Sequence, residues 1–224
     1  MKASAWAEND RIRAIGTRVL AEAAASASVE TMLYPSVCLI YPDRGEEWIE
    51  SDTPAEPRSR ILESTVVAER EVAGFGSGGR RGIILRMGSF YGPDAPNTLE
   101  AVALARKGIA AVPGPASAYL SQIWVEDAAA AVVAAVDRAP SGIYNVVDDR
   151  PLQRREIVRA IAAAVGRNWL LAPPTWLVRL MGGRDALPLT RSQRVSNRRF
   201  RDATGWTPAV SDAHEGWARI QVAC

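Results

Sequence analysis

Between Glu8 and Ala25 the chain reads ENDRIRAIGTRVLAEAAA, and the recurrence of Ile12, Ile15, Val19 and Leu20 at helical spacing predicts an alanine-rich amphipathic helix. Met32–Tyr41 (MLYPSVCLIY) is an apolar run that predicts a strand. From Ser59 to Ala73, apolar Ile61, Leu62, Val66, Ala68 and Val72 alternate with Glu63, Glu69, Arg70 and Glu71 in a second helical pattern. Gly82–Met87 (GIILRM) is short, apolar and β-branched, the signature of a buried strand. Helices over Asn97–Lys107 and Asp127–Val136, the latter N-capped by Asp127, and a strand over Gly142–Val147 continue the alternation. Alternating helices and strands predict an α/β fold built on a parallel sheet. After Pro151 the pattern changes. Arg154–Val165 is helical, but PPTWLVRLMGG and RSQRVSNRRFRDATGWTP are irregular and rich in Arg, Pro and Trp. The chain therefore divides into a sheet-containing part, 1–150, and a smaller, mostly helical lobe, 151–224.

Within this pattern, Gly74–Gly79 (GFGSGG) fits the G-x-G-x-x-G spacing of a dinucleotide site. That fingerprint works where a strand ends and a helix begins, because the helix N-terminus and its amides receive the pyrophosphate. Here the order is helix, glycines, strand. The stretch is expected to be a helix-to-strand loop opened by a glycine C-cap.

Composition narrows the chemistry. The 224 residues are 48% hydrophobic and 23% charged with net charge +2, an ordinary globular balance that gives no electrostatic footprint for nucleic acid. No apolar run approaches a membrane span, and no signal-peptide pattern opens the chain, so the expected setting is cytoplasmic. With one histidine, His214, and two distant cysteines, Cys38 and Cys224, no His/Cys metal constellation can form. No G-x-S-x-G elbow occurs, and His214 is expected to be a solvated residue in the first turn of a last helix capped by Ser211 or Asp212.

Six stretches carry a resemblance. Asn9 with Gly16–Thr17, then PSVCLIYPD, RMGSFYGP, IWVEDAAAAV, IYNVVDD and RVSNRRFRDATGWTP follow the order and spacing of the extended short-chain dehydrogenase/reductase superfamily, whose members include NAD-dependent epimerases and dehydratases acting on nucleotide sugars. The resemblance spans Asn9 to Pro208. It implies a Rossmann-like sheet of which this chain holds the C-terminal half, since relatives begin with a strand, a glycine-rich loop and further strands, on the order of 60 to 90 residues at about 30 per βαβ unit.

The chain departs from that superfamily at the reaction centre. A Tyr-x-x-x-Lys pair is implied on the second helix, where Ile61 and Thr65 stand instead. The two lysines, Lys2 and Lys107, have no tyrosine four residues before them. The implied hydroxyl-bearing position falls on Val37, with Ser36 beside it. Ser36 is a candidate substrate hydrogen-bonder or a strand-end hydroxyl bonded to backbone. Tyr41, Tyr91 and Glu63 are candidate replacement acids, with aromatic packing the alternative for the two phenols.

The resemblance also implies that Met87 and Gly88 lie beside a nicotinamide and that Ser89 faces substrate. The basic run that includes Arg191 and Arg194 meets substrate phosphates or forms a solvated face. The cofactor is NAD or NADP in a full-length form, with none expected on this chain alone. Two functions stay open: a shortened epimerase or dehydratase homologue, impaired in catalysis, and a non-catalytic binding module. The helices from Glu8 and Ser59 are those that pair in dimeric relatives, so a homodimer is expected.

Overall fold

The structure is a computed structural model that describes residues 3–176, 180 and 187–220. Parts of the irregular stretch after Pro173 and the terminal Cys224 lie outside these residues. The first helix runs as α1 (Ala3–Arg11) and α2 (Thr17–Ser26), joined by a π-helical turn at Ile12–Gly16. Next come β1 (Thr31–Val37), β2 (Trp48–Ile49), α3 (Arg60–Ser77), β3 (Arg81–Met87), β4 (Ser89–Tyr91) and α4 (Pro96–Arg106). β5 (Tyr119–Leu120), β6 (Gln122–Trp124), α5 (Val125–Arg138) and β7 (Gly142–Val146) follow. The chain closes with β8 (Leu152–Gln153), α6 (Arg154–Ala164), β9 (Arg194–Val195), α7 (Arg198–Thr204) and α8 (Ala213–Arg219).

Three strands form a parallel sheet in the order β1-β3-β7. Its register sets Val37 beside Met87 and Met87 beside Val146, so all three carboxyl ends are level. The central strand β3 is buried on both faces, which is why Ile83–Leu85 reads as an unbroken apolar run. Ile84 packs with Met32, Val72, Phe75 and Ala21 under α2 and α3. The alternate residues Ile83, Leu85 and Met87 pack with Ala131, Ala135, Phe200 and Trp206 under α5 and α7. A third core joins α4, α6 and α8 around Tyr91, Ile157, Ile161 and Trp217. The segment after Pro151 is tied to what precedes it by β9 pairing with β2 and β8 with β5.

Several sequence expectations change. The helix face of Ile12, Ile15, Val19 and Leu20 is 45% to 60% exposed, and Thr17 and Ala21 point inward instead. The five-residue π turn places an extra residue in the helix and shifts the phase of everything beyond it. The first strand stops at Val37, and Cys38–Ile40 form a 3-10 turn. Helix α3 runs through Gly74 and Gly76 to Ser77, with Gly78 as its C-cap, so much of GFGSGG is helix rather than loop. Asp127 caps nothing on its own helix. Its two carboxylate oxygens accept from the backbone N–H groups of Ala209 and Val210, pinning the segment before α8. His214 is exposed in the first turn of α8, which Asp212 caps by accepting from the Glu215 N–H.

Candidate functional site

Parallel α/β sheets open a crevice at the carboxyl ends of their strands. Here β3 ends at Met87, and Gly88 carries the chain across to β4. The Gly88 N–H donates to the Val146 carbonyl and the Ser89 N–H to the Ser121 carbonyl, both at 3.0 Å. A side chain at 88 would press on the Gln122 backbone, its Cβ lying 2.8 Å from the carbonyl carbon. Only glycine lets the two strands approach so closely.

Around this crossing lies a cavity of about 540 Å³. Val37, Met87, Gly88 and Ser89 form the end facing the sheet, and Ala101, Val112, Ile157, Ile161 and Trp217 the end facing the third core. Its hydroxyl groups are mostly engaged. Ser121 donates to the Gln193 carbonyl, Thr98 accepts from the Gly92 N–H, and the Tyr91 hydroxyl reaches Asp148 at 3.0 Å. Ser89 is exposed. The Cys38 thiol donates to the Arg86 carbonyl, and burial pushes its pKa well up.

Met87, Gly88 and Ser89 thus meet at one cavity. Ser36 and Tyr41 are placed elsewhere, in a buried polar network beneath β1. The Ser36 hydroxyl donates to Glu69 at 2.5 Å, and Arg86 holds the same carboxylate with two bonds, 3.0 and 2.7 Å. The Arg86 guanidinium lies 4.7 Å from the Tyr41 ring centre, and the Tyr41 hydroxyl donates to Asn145 at 2.7 Å. Burial raises the Tyr41 pKa, with Arg86 opposing it, so the phenol stays neutral. Neither Ser36 nor Tyr41 lines the cavity. Glu63 is exposed on α3.

The two arginines expected at substrate phosphates are engaged with protein. Arg191 is buried and donates to the carbonyls of Tyr41 (2.7 Å), Glu56 (3.0 Å) and Leu39 (3.5 Å). Arg194 stacks on Trp48 and Tyr119, 4.1 and 5.2 Å from the ring centres. Its neighbour Gln193 lines the cavity instead.

Two features escaped the sequence reading. One is the Tyr91–Asp148 pair, whose carboxyl is pushed up to about 8 chiefly by burial and so carries a proton at neutral pH. The other is Arg154, the only charged side chain on the cavity wall among the described residues. A basic residue in the first turn of a helix opposes the helix dipole, and PLQRREI held that signal.

Residues 3–146 match the sequence profile of the NAD dependent epimerase/dehydratase family, well over half the chain. The chain belongs to that family. Among curated proteins it is similar to a 3-diazoavenalumate denitrifying reductase from a Streptomyces species, 28% identical over 96% of this chain and 73% of the relative. Among solved structures, the human epimerase family protein SDR39U1 (isoform 2) with NADPH superposes with a TM-score of 0.83 at 19% identity, covering 98% of this chain and 75% of that one. The UDP-glucose 4-epimerase of Thermotoga maritima with UDP-glucose gives 0.76 at 16% identity, over 96% and 70%. These likenesses establish the Rossmann-like epimerase fold. No helix among the described residues is long and apolar enough to cross a membrane.

Proposed function

We propose that this member of the epimerase/dehydratase family is of the reductase type and takes a small, mostly apolar molecule into the cavity beside Met87 and Gly88. The cavity carries the reading: about 540 Å³ at the carboxyl ends of β1 and β3, with a largely apolar wall. When bound, a nicotinamide dinucleotide supplies or removes a hydride there. Met87 and Gly88, both on the cavity wall, would hold its nicotinamide end. Among the described residues no glycine-rich loop leads from a strand into a helix, so the fit is to that end alone and not to the pyrophosphate. Calorimetric titration of the chain with NADH or NADPH is expected to show binding weaker than about micromolar, and tight 1:1 binding would contradict this.

Oxidising a sugar alcohol needs a base beside the hydroxyl. The cavity offers none at neutral pH, because burial holds the Cys38 thiol and the Tyr91 phenol in their neutral forms. Reducing a group that is already electrophilic needs no such base, and a similar curated protein is named a reductase. Arg191 and Arg194 do not line this cavity, so they offer little to nucleotide-sugar phosphates bound in it. Trp217 lies on the wall and reports occupancy. Its fluorescence is expected to respond to 2-naphthamide and not to UDP-glucose, and the reverse result would restore the nucleotide-sugar reading.

Ile61 and Thr65, standing where the family resemblance implies tyrosine and lysine, favour a second reading as a binding module. Loss of NADPH absorbance with phenanthrenequinone at millimolar cofactor separates the two. Chain-dependent oxidation supports the reductase, and none supports the module.

We also infer a homodimer through the exposed face of Ile12, Ile15, Val19 and Leu20. Sedimentation at tens of micromolar is expected to give a dimer that Leu20→Glu dissociates. A monomeric parent chain would end this inference.

A further inference from the structure

Arg154 is 2% exposed and has no carboxylate within ion-pair distance among the described residues. Its guanidinium is instead held by three backbone carbonyls: Nη1 donates to Arg191 (2.9 Å) and Tyr119 (3.3 Å), and Nη2 donates to Leu189 (2.8 Å). The Nε–H, on the same edge as Nη2, is buried without a partner. Carbonyl dipoles fix the orientation of the group but do not neutralise it. Burial lowers its pKa to about 10, with distant Asp43 opposing, and it remains a cation at neutral pH.

Two further observations turn this cation toward a ligand. Gly114, at φ +113°, lies against Nε, and a Cβ there would stand 2.9 Å from it. A side chain at that position would crowd the unpartnered Nε–H. Gln122, also on the cavity wall and 7% exposed, has a buried side-chain oxygen without a partner. A buried cation normally meets an anion, and a planar guanidinium edge matches a carboxylate best.

We propose that Arg154 is a binding residue for a carboxylate on the molecule that enters this cavity, whose apolar body rests against Ile157, Ile161 and Trp217. The ligand class is a small apolar acid, with Gln122 available to an N–H or O–H group on the same molecule. The proposal rests on the cavity being the binding site, and the test separates the two ideas.

The probes are 2-naphthoate and its neutral counterpart 2-naphthamide, titrated into the intact chain with Trp fluorescence and calorimetry. A charge-assisted bond predicts a preference for naphthoate of about tenfold or more. In Arg154→Met, checked for folding by circular dichroism, naphthoate should fall to the level of naphthamide. Arg154→Lys should keep part of the preference, since it keeps the charge and loses the fork. Equal affinity of the parent chain for both probes would overturn the carboxylate proposal while leaving the cavity reading intact. Failure of both probes to bind would overturn both. A naphthoate preference that persists in folded Arg154→Met also overturns it. Should that variant not fold, the naphthoate to naphthamide ratio of the parent chain and the response of Arg154→Lys decide the matter.

Discussion

Arg86 and Arg154 are buried to nearly the same degree, 4% and 2% exposed, yet their surroundings differ in kind. Arg86 sits between β1 and α3 with its charge matched: Glu69 takes two of its donors, Ser36 completes the carboxylate, and Tyr41 covers the guanidinium face. Burial pulls its pKa down, but these partners outweigh it and raise it. Arg154 sits on a cavity wall with carbonyls and, among the described residues, no anion, and its pKa falls. A buried pair closed within the protein holds elements together. A buried charge left unmatched against a void implies that the match arrives from outside. The distinction lies in the counter-charge, not in depth.

Breaking the matched pair should have the largest effect. Glu69→Ala leaves Arg86 buried without an anion and is expected to cost about 3–5 kcal/mol in chemical unfolding. A cost near zero would mean that Thr53, whose carbonyl also accepts from Arg86, suffices to hold the charge.

The Tyr91–Asp148 pair, on the cavity side, gives a pH signature. The folded-state pKa of Asp148 is raised from 3.8 to about 8, so the folded protein holds that proton more tightly than the unfolded chain. Its stabilising contribution is complete below about pH 4 and is lost as pH rises to about 8, at up to about 1.4 kcal/mol per pH unit. Asp148→Asn should remove this slope, measured as melting temperature against pH. An identical slope in the variant would assign the titration to another group.

Arg154→Met should cost much less than Glu69→Ala, about 1–2 kcal/mol. It frees three carbonyls of their donor but also removes an unmatched buried charge. Equal costs for the two variants would erase the contrast between the regions. Smallest of all, the double change Arg86→Met with Glu69→Leu removes both charges together and should leave stability within about 1 kcal/mol of the parent chain in the same denaturant series. A loss as large as that of Glu69→Ala would show that the network matters for its hydrogen bond to Ser36 and its contact with the Tyr41 ring rather than for its charge balance.

The sheet was legible because GIILRM and GIYNVV are buried on both faces and carry no polar alternation to mislead. The crossing at Met87–Ser89 was legible through its family resemblance, and it does meet a cavity. The helix face of Ile12 to Leu20 was legible as a stripe but not as an exposed one, since spacing cannot report a π turn. Arg154 was illegible for a different reason. Its state depends on the Leu189, Arg191 and Tyr119 carbonyls, each at least 35 residues away, and on the lack of an acid beside them among the described residues. Arg191 was open to reading as a phosphate binder or a solvated residue because sequence shows the donor and not the carbonyls that accept from it.

The glycines that first looked like a phosphate loop have a mechanical consequence. Gly76 near the end of α3 and Gly82 in β3 lie so close that a Cβ on Gly76 would stand 2.8 Å from the Gly82 nitrogen, and one on Gly82 would collide with the Val72 carbonyl. The helix and strand are keyed backbone to backbone, with no side chain between them to act as a cushion. Helix α3 can neither slide along the sheet nor roll on it without jamming at this point. Because Glu69 stands two turns earlier on the same helix, the keyway indexes the carboxylate against Arg86 and keeps the polar network in register.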